Sequence, residues 1–347
     1  MIKFRYIGLT VATFALVILS SCNGGTPTAQ NSATPNNANP AAQTTQTATH
    51  SSHGSKKKIN INDAILSELD KFEAQLGIPA LSNKIQANRP YASPQDLVTK
   101  KVITQEQFDK IKDQVTTEEV VLTGEAKDVD YMTKLGLMKG HLIVAKQLLD
   151  INQPKQAEPH IGHPVEEIYT DVEEQLKERN VKEFKNTLIS LQDLVKANPK
   201  AGKVKTDFTS AMQAVDGAIA ALSETERSKP TFVLQVINGL LDAANSEYGA
   251  AVANGKITAS IEYQDSRGFT TYANDLYKAI SNQVAKINPA ADKAIKTSMS
   301  ELLKVWPGVI PPAQPVRTPQ EVTKLIKTIE HQSQKVIDAS ATQAQKS

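Results

Sequence analysis

Apolar residues recur at spacings of three and four through most of this chain. Tyr131, Leu135, Met138, Leu142, Ala145 and Leu149 make one such row. Val165, Ile168, Val172 and Leu176 make the next, followed by Val181, Phe184, Leu188, Leu191 and Val195. Val204, Phe208, Ala211, Val215, Ile219 and Leu222 continue the pattern, and later rows cover 233–241, 272–287, 295–303 and 322–329. A period near 3.6 puts each row on one face of a helix. Pro or Gly falls in most gaps, as at Asn198-Pro199, Lys229-Pro230, Asn254-Gly255 and Asn288-Pro289. No run alternates as a half-buried strand does. The pattern predicts about eight helices over 128–341, packed as one bundle or as two four-helix bundles in series. Five prolines from Pro307 to Pro319 predict an irregular crossover.

Before this train lies a shorter folded segment, 56–118. Asn62-Asp63-Ala64 offers a helix N-cap, and Ile65, Leu66, Leu69 and Phe72 supply an apolar face. Gly77-Ile78-Pro79 ends that helix. Leu81 and Ile85 mark a second, Asp96, Leu97 and Val98 begin a third, and Thr104-Gln105-Glu106 caps a fourth carrying Phe108 and Ile111.

The N-terminus reads as an address. Lys3 and Arg5 precede a 13-residue apolar run, Ile7 to Leu19, which falls short of the roughly 20 residues of a membrane span and fits a secretory signal over 1–21. From Thr26 to Ser55 there is no Asp, Glu, Lys or Arg. That composition cannot bury enough surface to offset chain entropy, so 22–55 reads as a flexible tether. His50 and His53 fall within it.

With 40% apolar and only 5% aromatic residues among 347, the chain suits an all-α fold packed through Leu, Val, Ile and Ala. Its single cysteine excludes an internal disulfide and a Cys-based zinc cluster. Without Lys3 and Arg5 of the leader, bases and acids are equal at 37 each. A globally basic nucleic-acid binder is thereby excluded, and any such activity must rest on a local patch.

Leu19-Ser20-Ser21-Cys22 resembles the bacterial lipobox. The resemblance implies cleavage before Cys22, lipidation of Cys22 and anchorage in a bacterial cell envelope. Asn23 favours the outer over the inner membrane, by analogy with lipoproteins that carry Asp at that place for inner-membrane retention.

KININDAILSELDKF and LGIPALSNKIQANRPYASPQDLVTKKVITQEQFDKIKDQV resemble the helix-hairpin-helix module of ComEA-type competence proteins. The shared frame is an Ile-Asn-Ile-Asn lead-in, a hairpin before Leu-x-x-x-Ile, a Pro-Tyr turn, an Asp-Leu helix and a second hairpin. The small extrinsic PsbU subunit of cyanobacterial photosystem II resembles the same frame. The competence resemblance implies weak, non-specific DNA binding during uptake, with Gly77, Lys84, Arg89, Lys100 and Lys101 as the candidate contacts. The family's hairpins read Gly-hydrophobic-Gly, which lets backbone N–H groups approach a phosphate. Here Leu76-Gly77-Ile78 and Lys101-Val102-Ile103-Thr104 depart from that pattern. Residues 56–115 hold ten bases against eight acids, so little phosphate neutralisation is on offer.

Candidate metal chemistry sits elsewhere. His141, His160 and His163 fall within 23 residues, and Glu166 and Glu167 follow His163. Imidazole and carboxylate suit a divalent transition metal, and His141, His160, His163 and Glu166 form the candidate ligand set. His160 and His163 are expected just before a helix N-terminus, which favours neutral imidazole. The same residues also read as capping, with Pro164 at the first helical position, His163 as cap and Glu166 in the capping box. His-x-x-Glu in an exported bundle is weakly similar to imelysin-like periplasmic proteins, whose glycine stands two residues before the histidine, whereas Gly162 directly precedes His163. A second polar cluster, Glu262 to Arg267, interrupts an amphipathic helix, and its acids can pair with Arg267 or with the histidines. No nucleophile elbow, Walker loop, dinucleotide fingerprint or His-Glu-x-x-His occurs, so the chain reads as a non-enzyme. Two functions stay open beside that of a purely structural envelope protein. One is a lipid-anchored DNA-uptake protein. The other is a helical metal- or ligand-binding envelope protein whose small module is structural or docks a protein.

Overall fold

A computed structural model describes residues 58–119 and 121–344. The leader, Cys22, the tether with its two histidines, and Lys56 and Lys57 lie outside the described residues. What is described is mostly helical, as the apolar periodicity requires.

The small module comprises α1 (Leu66–Leu76), α2 (Leu81–Ala87), α3 (Asp96–Thr99) and α4 (Gln105–Ile111). Two short strands, β1 (Ile59–Asn60) and β2 (Val115–Thr116), pair in parallel and tie its ends together. Its core gathers Ile61, Leu69, Phe72, Leu81, Ile85, Tyr91, Leu97 and Ile111. Thr104 caps α4 as expected, exchanging hydrogen bonds with Gln107. At α1 the expected cap is displaced. The helix starts at Leu66 because the Asn62 side chain is drawn across to Tyr91, accepting from its N–H at 2.7 Å and donating to its carbonyl at 2.9 Å.

The larger part contains α5 (Gly124–Asp150), α6 (Pro154–His163), a π-helical turn (Pro164–Ile168), α7 (Tyr169–Glu178), α8 (Lys185–Ala197), α9 (Lys203–Ile219) and α10 (Glu224–Arg227). It ends with α11 (Pro230–Ala251), α12 (Ser260–Ile287), α13 (Pro289–Leu303) and α14 (Pro319–Ala344). The last four form a bundle in which α12 packs on α11, α13 and α5, and α14 packs on α11 and α13. A hairpin of β3 (Val252–Ala253) and β4 (Lys256–Ile257) turns α11 into α12. The periodicity anticipated the long helices but not α6 or the single turn α10. In α6, Pro154, Pro159 and Gly162 interrupt the signal, yet the segment is helical. The stretch from Pro307 to Pro319 is the irregular crossover expected, pinned by Trp306 Nε1 donating to Ser266 Oγ at 2.8 Å.

Among the described residues, the two parts belong to one compact unit. They meet where α1 lies on α11. Ile65 joins the core of the bundle, and a Cβ added to Gly249 would stand 2.7 Å from that of Ala74. Lys71 and Asp242 make an ion pair across the seam at 3.7 Å. Inside the seam, Asp70 of α1 hydrogen-bonds Glu247 of α11 and Ser82 of α2, with Glu73 and Glu262 nearby. Burial, reinforced by Glu73 and Glu262, pushes the Asp70 carboxyl up to about 7.

The native state therefore keeps this proton up to about pH 7, whereas the unfolded chain releases it near the ordinary value of 3.8. Folding takes up a proton between those limits, so this group makes stability fall as pH rises through that window. Asp70→Asn is expected to flatten that fall and to stabilise the protein at pH 8 by up to about 4 kcal/mol, at about 1.4 kcal/mol per pKa unit. Denaturant unfolding at pH 5 and pH 8 checks this, and equal pH dependence in both proteins would refute it.

Candidate metal centre

α5 and α12 cross with their backbones in contact. A Cβ on Gly140 would fall 2.6 Å from the Phe269 ring and 3.0 Å from the backbone of Gly268. A Cβ on Gly268 would overlap the Gly140 carbonyl. The two glycines thus let His141, next along α5, reach Asp265, one turn earlier on α12. His141 Nδ1 lies 2.6 Å from Asp265 Oδ1.

α6 brings the other two imidazoles to the same carboxylate. His160 Nδ1 lies 2.7 Å from Asp265 Oδ1, and His163 Nδ1 lies 3.5 Å from Oδ2. The three ring centroids are 5.4–6.3 Å apart. Among the described residues, His141, His160, His163 and Asp265 form the group of metal-binding side-chain types whose donor atoms all fall within 4.8 Å of one another. Donors around a tetrahedral ion with bonds of 2.0–2.2 Å stand about 3.3 Å apart, so the side chains must draw in by up to about 1.5 Å to hold an ion.

The sequence placed His160 and His163 before a helix N-terminus. They lie instead at the C-terminal end of α6, which runs on into α7 through the π-helical turn. Pro164 has no N–H to give the His160 carbonyl, and Tyr169 N–H bonds the Pro164 carbonyl five residues back. The wider turn changes which glutamate follows His163 in space. Glu166 is exposed and outside the donor group. Glu167 is half-buried under the influence of His163 and Asp265, and burial pushes its carboxyl up to about 7. Of the two acids considered on α12, Asp265 meets the histidines. Arg267 turns to the Trp306 carbonyl at 2.6 Å and to Gln147 at 2.9 Å.

The proton on His160 Nε2 is placed by a neighbour the sequence did not single out. Gln264 Nε2 donates to Gln156 Oε1 at 3.0 Å and to the Val309 carbonyl at 3.1 Å. Its Oε1 therefore faces His160 Nε2, at 2.8 Å, and accepts its proton. A neutral His160 then points the Nδ1 lone pair at a carboxylate oxygen. Two acceptors in contact require a second proton or a cation. A metal ligand with its other ring N–H given to an oxygen is the arrangement that fixes the coordinating tautomer. His141 Nε2 is buried and has no hydrogen-bond partner.

Charge follows the same geometry. Burial favours neutral His141, lowering its pKa despite Asp265. Burial opposes ionisation of Asp265, yet His141 and His160 hold its carboxyl well below the usual range. At His163 burial acts downward but is outweighed by Asp265, Glu167 and Glu166, leaving the imidazolium at about 9. Once an ion displaces the His163 proton, the group offers three nitrogens and one carboxylate, a set of the kind that suits iron, zinc, copper or nickel.

The residues considered for DNA contact are placed differently. Arg89 donates to the Ile61 and Ala64 carbonyls. Lys100 donates to Asn88 and Pro90 at 2.8 and 2.7 Å and lies over the Tyr91 ring. Both hold the module together. Gly77 ends α1 with φ +65, and Lys84 and Lys101 are exposed. In the first hairpin the Glu73 carboxylate accepts from Ala80 N–H at 2.8 Å and from Ser82 Oγ at 3.1 Å. An acidic side chain thus takes donors that a phosphate would need.

Residues 223–340 match the family model of an iron permease-associated 4-helix bundle domain, and residues 54–116 match that of a helix-hairpin-helix motif. The second match agrees with the sequence reading at the level of the motif, and neither match reaches its competence or imelysin-like resemblance. Asp265 and Gln264 lie inside the first matched segment, and all three histidines lie between the two. No curated protein and no solved structure matches the chain.

Proposed function

We propose that this protein is a lipid-anchored envelope protein that binds one divalent transition metal ion, with ferrous iron the favoured cargo. The observation that carries the reading is the contact between His160 Nδ1 and Asp265 Oδ1, with Nε2 already committed to Gln264. The convergence of two further imidazoles supplies the remaining ligands. The preference for iron rests on the similarity of 223–340 to a domain associated with iron permeases. The reading is of binding rather than catalysis.

The helix-hairpin-helix module is compatible with nucleic-acid or protein partners. Its geometry supports docking, either of the bundle or of a protein partner, over DNA uptake. Arg89 and Lys100 are engaged internally, and Glu73 presents negative charge at the first hairpin. Phosphate neutralisation dominates non-specific DNA affinity, and Lys84 and Lys101 alone provide little of it.

Chelator-stripped protein titrated anaerobically with Fe(II), and separately with Zn(II), is expected to take up one ion per chain. Asp265→Asn and His160→Ala should each weaken binding at least about 100-fold, the upper end of what supporting residues alone contribute. His331→Ala, on exposed α14 surface, should leave it unchanged. Folding of each variant is checked by circular dichroism. No uptake by the parent protein, or equal affinity in Asp265→Asn, would overturn the proposal.

Anchorage is proposed through Cys22, in the outer membrane by preference. Mass spectrometry of membrane fractions should show acyl mass on the parent protein and none on Cys22→Ser. Unchanged mass and processing in that variant would refute it.

A further inference from the structure

The donor atoms of the centre are not yet spaced for an ion. His141 Nδ1 and His160 Nδ1 stand 2.6 and 2.7 Å from the same carboxylate oxygen, while separations within the group range up to 4.8 Å. Around a tetrahedral ion both kinds of separation become about 3.3 Å. Short contacts must widen and long ones close. Side chains this tightly packed transmit such a change to the helices that carry them.

α5 and α12 are ill placed to move. Their backbones touch at Gly140 and Gly268, and Phe269 closes edge-on over His141 with ring centroids 4.9 Å apart. α6 is built differently. Pro159, inside the helix, has no N–H for the Lys155 carbonyl, and the π-helical turn begins at Pro164. Among the described residues, the hydrogen bonds and ion pairs that tie this segment to α12 all end on Gln264 or Asp265. On its other side Gly162 stands against the Gln192 side chain, and Glu158 accepts from Gln192 Nε2 at 2.8 Å. One flexible side chain there can follow a small shift of α6.

The bond between the two halves of the site also depends on occupancy. With Nε2 donating to Gln264, His160 Nδ1 meets Asp265 as a second acceptor unless a proton or a cation lies between them. An ion seated there draws both groups to itself. Each bond it makes to His160 or His163 then ties α6 to the α5–α12 pair.

We infer that α6 and the π-helical turn, residues 154–168, form a jaw that re-seats on α5 and α12 as the ion binds, so that metal occupancy is converted into the position and rigidity of this segment. The inference rests on the metal-binding reading above. Packed helices make shifts of roughly 1–2 Å in ligand-driven transitions, and a shift of that size keeps Ala157 and Ile161 in the core where they lie.

Hydrogen–deuterium exchange of the full chain, read by mass spectrometry with and without one equivalent of Zn(II), tests this. Bound zinc is counted in the same samples. At labelling times of seconds to minutes, which report local opening, the amides of 155–168 are expected to exchange about tenfold more slowly in the loaded protein. Amides of 136–145 on α5 and 266–272 on α12 should change by less than about twofold. Zinc taken up with no slowing in 155–168, or with equal slowing in all three segments, would overturn the inference while leaving the metal centre standing. Failure of the parent protein to take up zinc would remove both.

Discussion

The structure depends on one backbone contact, the crossing of Gly140 and Gly268. There α5 and α12 approach more closely than any side chain permits. The contact is what allows a carboxylate on one helix and an imidazole on the other to meet within a hydrogen bond while buried. Widening it by one methyl group would press against the Phe269 ring or the opposite backbone. It would also separate His141 from Asp265. The helix packing and the chemistry of the centre are therefore one constraint.

Burying a carboxylate among three imidazoles is costly, several kilocalories per mole for each charge left without a close partner. The protein sets three imidazoles around Asp265, two on one oxygen and the third near the other. Gln264 then removes the freedom of His160 to choose its tautomer, and the Gln156 side chain and Val309 carbonyl hold Gln264 in turn. The crossover after α13 thus contributes through a carbonyl, and its irregular, proline-rich backbone is what brings that group there. Of the four side chains, His163 is the one that reaches the surface.

The long helices were legible because their apolar rows keep period over three turns or more. The module was legible from its hairpin spacing, and the grouping of His141, His160 and His163 from their proximity in sequence. The fourth member of the group, Asp265, was legible only as a polar interruption of an amphipathic helix. Asp265 lies 124 residues from His141 and 105 from His160, and nothing local states which partner such an acid will meet. Glu166 looked like the fourth ligand because an ordinary α-helix is assumed after Pro164. The π-helical turn breaks that assumption, and periodicity carries no sign of it. The internal bonding of two basic candidates of the module was hidden for another reason. Composition counts Arg89 and Lys100 as surface charge, whereas their length lets them fold back onto carbonyls of their own module. The glycine before His141 was present in the sequence, but its purpose becomes visible only beside Gly268.

The central claim is that three imidazoles and one carboxylate bind a single ion. X-ray absorption at the zinc edge, on protein loaded with one equivalent of Zn(II), addresses the coordinating atoms directly. The account predicts about three imidazole nitrogens and carboxylate oxygen at 2.0–2.2 Å, with the outer-shell scattering of histidine rings. A shell of oxygen alone, or of a single imidazole, would contradict it.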